Sequence, residues 1–296
     1  MQKPPPVYSV QFLFHPEQDE SYVHFEDAVT NPFEPDPVGF PRVNVWWLAD
    51  SALLSYRDND AASTVFAKAG LESTFVTEGS ADCYVAWQED HVIVAFRGAE
   101  FDEWEDILAP AKFDLVPWDA GRVHRGFKDA FEAVWPKLKD RLDPVSAGRK
   151  VWFCGHSLGA AMATLAAFRH PDARGVCTFG SPRVGDSAFA AAFAAKLGDA
   201  SLRYVNHNDV VTHLPPPVFG HRHVMAPRFI ALDGSISGDP PSLLHFFSEL
   251  IGPPEQLLEL VNRLLDGSLT IAPNFLLEHM PKAYAIWTWN DFDGHG

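Results

Sequence analysis

The stretch that most constrains this chain is VWFCGHSLGAAMATLAAF, residues 151–168. Four residues of strand character run into Gly155-His156-Ser157-Leu158-Gly159, and an alanine-rich segment of helical character runs out of it. A strand that passes straight into a helix through a serine between glycines places that serine on a sharp, strained turn at the end of a sheet. The small flanking residues keep such a turn free of clashes. The helix start beneath it offers free N–H groups and a positive dipole end to a developing negative charge. Gly159, Ala160, Ala161 and Ala163 let the helix lie close to the sheet. Five residues with three fixed positions recur by chance, so the flanking strand and helix carry the reading. Ser157 is the candidate nucleophile.

The rest of the chain alternates in the same way. A strand pair is predicted at 83–87 and 92–96, then a helix over 127–142 and the strand 151–154. After the helix at 158–169 come a strand at 176–179, a helix at 187–197, a strand at 202–206 and another near 228–232. Strands interleaved with helical segments of roughly 10–15 residues indicate a mostly parallel sheet covered on both faces. Upstream, Val43, Trp46, Trp47, Ala49, Ala52, Leu53 and Tyr56 recur at helical spacing. Downstream, the apolar stretch 240–277 reads as two helices, 243–251 and 255–265, and a last helix covers 281–289. Residues 1–41 hold eight prolines and read as an extended, wrapping arm, with short strands expected at 7–14 and 22–25. With no internal repeat or low-complexity linker, 1–296 reads as one domain.

Composition removes several function classes. The chain carries 23 Lys and Arg against 39 Asp and Glu, a formal charge of −16. That argues against nucleic acid, which needs a basic face, and disfavours docking on anionic membranes by charge, so any lipid contact must be apolar. Cys83, Cys154 and Cys177 lie in apolar runs, where a thiol behaves as a small hydrophobe. The absence of Cys-x-x-Cys suggests neither a redox pair nor a zinc site, and no metal or cofactor is expected. Residues 1–14 lack the apolar core and cleavage site of a secretory signal. No window approaches the ~18 apolar residues of a membrane span.

A serine nucleophile needs a base and an acid. On a sheet of this kind the acid follows the serine, at the end of a later strand, and the base comes last. Asp209 closes RYVNHND, 52 residues after Ser157 (209 − 157). Asp186 and Asp199 are rivals, though each adjoins a helix. The histidines beyond Asp209 are His213, His221, His223, His245, His279 and His295. His213 is too close in sequence to reach back, and His221 and His223 flank a strand. His245 lies within an apolar helical segment, and His279 at a loop-to-helix boundary near the chain's end. His279 leads and His245 is second.

Six motifs in order sharpen this reading: VIVAFRGAE at 92–100, VHRGF at 123–127, GHSLGAA at 155–161, TFGSPRVGD at 178–186, RYVNHNDVVTHLPP at 203–216 and EHMPKAY at 278–284. With them the chain resembles the class 3, fungal-type triacylglycerol lipases of the α/β-hydrolase superfamily, from about residue 43 to 289. The resemblance implies an α/β-hydrolase fold with a short helical lid. It implies a Ser157, Asp209 and His279 triad, and it matches the His223 region to a non-catalytic segment. It places oxyanion-hole N–H groups at Ala99 and Leu158, although relatives carry serine or threonine at the first place. The lid would be 100–108, where Phe101, Trp104 and Leu108 fall on one helical face. The implied activity is carboxylester hydrolysis, most simply of acylglycerols at a lipid–water interface. Phospholipids, feruloyl or acetyl esters and thioesters are alternatives, as is a non-enzymatic interaction module, because a fold does not fix a substrate.

Overall fold

In a computed structural model, residues 1–99, 113–238, 259–260, 262–263, 269 and 272–294 are described. In chain order these residues form α1 (Val10–Phe14), α2 (Arg42–Leu54), α3 (Asn59–Lys68), β1 (Glu72–Glu78), β2 (Ala81–Trp87), β3 (His91–Phe96), β4 (Leu115–Pro117) and β5 (Arg122–His124). Next come α4 (Arg125–Ser146), β6 (Lys150–His156), α5 (Leu158–Arg169), β7 (Ala173–Phe179), α6 (Ser187–Leu197) and β8 (Ser201–Asn206). The chain continues through β9 (Pro227–Ile230), β10 (Ile236–Ser237), α7 (Asn274–Leu277) and α8 (Pro281–Asp293). One sheet has the order β1-β2-β3-β6-β7-β8-β9-β10, and β4 pairs with β5 apart from it. From β3 to β9 every pairing in that order is parallel, while β1, β2 and β10 add antiparallel edges.

The central strands are apolar on both faces because both are covered. Along β6, Trp152 and Cys154 enter one core with Trp46 and Trp47 of α2 and Tyr284 and Trp289 of α8. Val151 and Phe153 enter the other, with Phe127, Phe131 and Leu138 of α4 and Met162 and Leu165 of α5. Strand β3 divides likewise, Ile93 and Ala95 against Val92, Val94 and Phe96. This period of two explains why these strands read as continuous apolar runs. Cys83, Cys154 and Cys177 are free and buried, and burial pushes each thiol's pKa up.

The arm differs from expectation. Residues 10–14 form α1 rather than a strand, and residues 22–25 pair with nothing in a sheet. The alternation in VQFLF suits either period over so short a run, and the prolines leave no neighbouring strand to pair with. Phe25 and Asp27 both turn through positive φ, which breaks the extended backbone there. Tyr22 Oη and the Phe25 N–H instead donate to buried Asp50 of α2, each at 2.6 Å. The lid residues Phe101, Trp104 and Leu108, the expected helix at 243–251 and most of that at 255–265 lie outside the described residues. Leu260, Leu269, Phe275 and Leu277 from the 240–277 stretch pack against the α2–α8 core. No helix among the described residues is long and apolar enough to cross a membrane.

Candidate active site

The loops that leave the carboxyl ends of β3, β6, β7 and β8 gather at one end of the sheet, where an open α/β sheet carries its ligands. Ser157 links β6 to α5 with φ +58° and ψ −126°, a conformation that few non-glycine residues adopt. Close contacts enforce the turn. A Cβ at Gly155 would lie 2.3 Å from the Gly159 carbonyl oxygen, and one at Gly159 would lie 2.3 Å from that of Phe96. The Ser157 N–H donates to the Phe179 carbonyl at the end of β7, 3.0 Å away. Its Oγ is buried and bonds to no described residue. A nucleophile's catalytic bond is often long in an unliganded site and tightens with substrate.

The candidate acid and base meet across 70 residues of chain. His279 Nδ1 lies 2.9 and 2.8 Å from the two carboxylate oxygens of Asp209, and neither side chain is exposed. A carboxylate only accepts, so Nδ1 carries the proton and Nε2 is left as the basic nitrogen. Asp209 is held from two further sides, by the Val211 N–H at 3.0 Å and by Tyr284 Oη at 2.5 Å. Tyr284 Oη in turn accepts from the Asn206 N–H at 3.0 Å. Burial and the adjacent Asp209 charge push the Tyr284 phenol well above its ordinary pKa, so it remains a donor. Arg203, buried nearby, falls to about 10 because its desolvation outweighs the pull of Asp209.

His156 joins the nucleophile turn to the base. Its Nε2 lies 2.7 Å from the His279 carbonyl oxygen and its Nδ1 lies 2.8 Å from Tyr56 Oη. A carbonyl accepts only, so Nε2 donates and Nδ1 accepts from the tyrosine. Burial, and next the nearby His279, hold His156 well below the usual imidazole pKa. The ring is neutral. Gly180, at φ +61°, closes the site from β7: a Cβ there would lie 2.8 Å from His279 Cε1 and 2.9 Å from Asp209 Oδ2.

Among the described histidines only His279 bonds to Asp209. His223 Nε2 lies 2.9 Å from the Thr212 carbonyl oxygen, and His245 and His295 lie outside the described residues. Asp186 caps α6 by accepting from the Phe189 N–H at 2.9 Å, and Asp199 sits in the turn after that helix. Ala99 and Leu158 are each 7% exposed, and neither N–H has a backbone acceptor among the described residues. No group of His, Cys, Asp and Glu suited to a metal ion occurs among the described residues.

Comparison with known proteins places this arrangement. A family described as Lipase (class 3) matches residues 93–219. Over that stretch the chain is similar to the class 3 lipases. Secreted mono- and diacylglycerol lipase 1 of Fusarium solani is 30% identical over 231 residues, 75% of this chain and 62% of that protein. A lipase of Rhizomucor miehei is 33% identical over 163 residues, 51% of this chain and 45% of that one. Chloroplastic phospholipase A(1) DAD1 of Arabidopsis thaliana is 44% identical over 161 residues, covering 44% and 35% respectively. The chain thus spans less than two thirds of these curated relatives. Among solved structures, the Rhizomucor miehei triacylglyceride lipase superposes with a TM-score of 0.52 at 26% identity, over 64% of this chain and 80% of that one. A lipase from Rhizopus microsporus var. chinensis gives 0.53 at 22% identity, over 70% and 80%. The fold is that of the α/β hydrolases.

Tyr284, Gly180, His156 and Tyr56 join the site without having been singled out by sequence. Tyr284 stands in the EHMPKAY motif, five residues after His279, and Gly180 in TFGSPRVGD. Spacing alone gives neither a partner.

Proposed function

We propose that this chain is a serine carboxylester hydrolase of lipase type, with Ser157 as nucleophile, His279 as base and Asp209 as its orienting acid. The observation that carries the reading is the buried His279–Asp209 pair, Nδ1 fixed on the carboxylate, at the same sheet end as a serine on a left-handed turn. Ser157 Oγ attacks the ester carbonyl while His279 Nε2 takes its proton, and the Ala99 and Leu158 N–H groups receive the oxyanion. The tetrahedral adduct collapses as His279 returns the proton to the leaving alkoxide, and the alcohol departs. Water then repeats the sequence on the acyl-enzyme and frees the acid.

Acylglycerols are the substrates this reading favours, since the Fusarium solani relative is a mono- and diacylglycerol lipase that aligns with 75% of this chain. A net charge of −16 suits a neutral lipid surface better than an anionic one. The 44% identity to a phospholipase A(1) favours a second reading, glycerophospholipid. Fluorophosphonate labelling of the chain beside Ser157→Ala, followed by a chain-length series of p-nitrophenyl esters and by diacylglycerol against phosphatidylcholine, tests both. Absence of labelling in the folded wild type would sink the hydrolase reading. Faster release from phosphatidylcholine would move the substrate to phospholipid.

A further inference from the structure

Asp209 is delivered by a segment whose backbone is under strain. His207, two residues before it, has φ +45°, the left-handed region that disfavours residues with a Cβ. Such a conformation persists only where its surroundings over-determine it, and it recurs at functional sites. The restraint here comes largely from one residue. Glu278 Oε1 lies 2.9 Å from His207 Nδ1, Glu278 Oε2 accepts the Asn208 N–H at 2.9 Å, and the Glu278 carbonyl accepts from Asn206 Nδ2 at 2.8 Å. Three consecutive residues ahead of the acid are therefore fastened to the residue that immediately precedes the base. The Asp209 N–H closes the turn on the Asn206 carbonyl at 2.9 Å, and the His207 N–H anchors it to Ile230 of β9 at 2.9 Å. The Asn208 side-chain amide also lies 2.9 Å from His207 Nδ1; with its oxygen turned to the ring it shares that proton.

We infer that Glu278 is a positioning residue, which holds the strained His207 turn against the His279 loop and so sets the geometry in which Asp209 meets His279. This rests on the hydrolase reading given above. Glu278 is 4% exposed, and a buried carboxylate is costly unless donors surround it. Its side-chain donors belong to residues 207 and 208, and no Lys or Arg pairs with it among the described residues. Burial raises its pKa, with the His207 charge pulling the other way. A carboxylate that served only to end α7 would have no need of both.

The test uses four full-length variants on a soluble short-chain p-nitrophenyl ester. Glu278→Gln offers one acceptor oxygen to two donors and turns its NH2 towards the other. It should lower kcat about tenfold with KM little changed, because a small misplacement of a catalytic group costs rate rather than substrate contact. His207→Ala keeps the strain, loses the ring and should fall comparably. His207→Asn tolerates the left-handed backbone and presents an amide donor to Glu278, so it should recover most of the rate. His207→Gly removes strain and ring together and should stay slow in a protein that melts near the wild type. Unchanged kcat in folded Glu278→Gln, a rise in KM alone, or His207→Asn no faster than His207→Ala would overturn the inference. A wild type inactive on every ester overturns the hydrolase reading instead. The clamp is then judged by the low-field proton resonance of His279 Nδ1, which should broaden or shift in Glu278→Gln and His207→Ala and return in His207→Asn.

Discussion

The turn that carries the proposed nucleophile Ser157 and the proposed acid–base pair lie at the same sheet end, yet they are built by opposite means. Ser157 is set by eighteen consecutive residues, 151–168, in which a central strand, a turn and a helix follow without a break. Two glycines let the turn close, and no described side chain bonds to the serine hydroxyl. Asp209 and His279 instead come from loops 70 residues apart and are held by Tyr284, Val211, Glu278 and His207. A local device is rigid because its chain has nowhere else to go. An assembled device is only as accurate as the side chains that surround it. The nucleophile should therefore tolerate distant changes that the acid–base pair does not.

Breaking either half outright gives the largest effect. Ser157→Ala and His279→Ala should each lower ester turnover by about 10³-fold or more with folding intact, and the double variant should be little worse than either, because a triad acts as a unit. Kinetics of the three variants decide it. Independent, multiplying losses would mean that the two halves do not work on one bond.

Gly180→Ala probes the assembled half with a single carbon. At φ +61° any side chain costs roughly 1–2 kcal/mol, and here the new Cβ would press on His279 and Asp209. Gly148, at φ +77° and with nothing within 4 Å of where a Cβ would stand, supplies the control. Both alanine variants should lose stability by thermal melting, Gly180→Ala the more because its Cβ also displaces buried side chains, whereas only Gly180→Ala should lose rate, on the order of 10²-fold. Equal activity in the two would show that the His279–Asp209 pair can retreat without harm.

Tyr284→Phe is milder. It removes a donor from Asp209 and leaves the Asn206 N–H unsatisfied, a stability cost of about 1–3 kcal/mol. Two of the three groups holding the Asp209 carboxylate remain, so kcat should fall roughly tenfold, within the range of a modest displacement. A loss equal to that of His279→Ala would make the tyrosine part of the chemistry rather than a support.

This contrast also explains what could be read from the sequence. The parallel sheet and the Ser157 turn were legible because an apolar strand, the Gly-x-Ser-x-Gly turn and an alanine-rich helix follow one another without a break. Asp209 stood out as the acidic residue beyond a strand's end, and His279 led His245 as the histidine at a loop-to-helix boundary near the chain's end. Tyr284, Gly180 and Glu278 were not legible as supports, since each acts on a partner more than 25 residues away. Strand β1 was missed because it is an edge: of ESTFVTE only Val76 is buried, so its alternation is faint. Helix α3 does carry a signal in its sequence. Asp58 caps it by accepting from the Asp60 and Ala61 N–H groups, and Ala62 and Phe66 are its buried i, i+4 pair.

The smallest effect is expected where the two halves touch. His156 belongs to the nucleophile turn, yet it donates to the His279 carbonyl and accepts from Tyr56 Oη. Tyr56→Phe leaves the buried Nδ1 without that donor, at a cost of about 1–3 kcal/mol. The His279 side of the ring is untouched, so kcat should change by no more than about twofold (under ~0.5 kcal/mol of barrier). The pH dependence carries the sign. His156 is depressed well below the ordinary imidazole value of 6.5, so the folded state takes up fewer protons than the unfolded one. The stability this group contributes is present in full above about pH 6.5 and is lost progressively as pH falls from there towards the lower folded pKa. Tyr56 strengthens the depression by donating to the neutral ring, and its removal lets the folded pKa rise towards the unfolded one. The melting-temperature gap between wild type and Tyr56→Phe should therefore be widest near pH 8 and should narrow towards pH 5. A gap that stays constant or widens in acid would mean that Tyr56 does not set the protonation of His156, and the link between the halves would then rest on the His279 carbonyl alone.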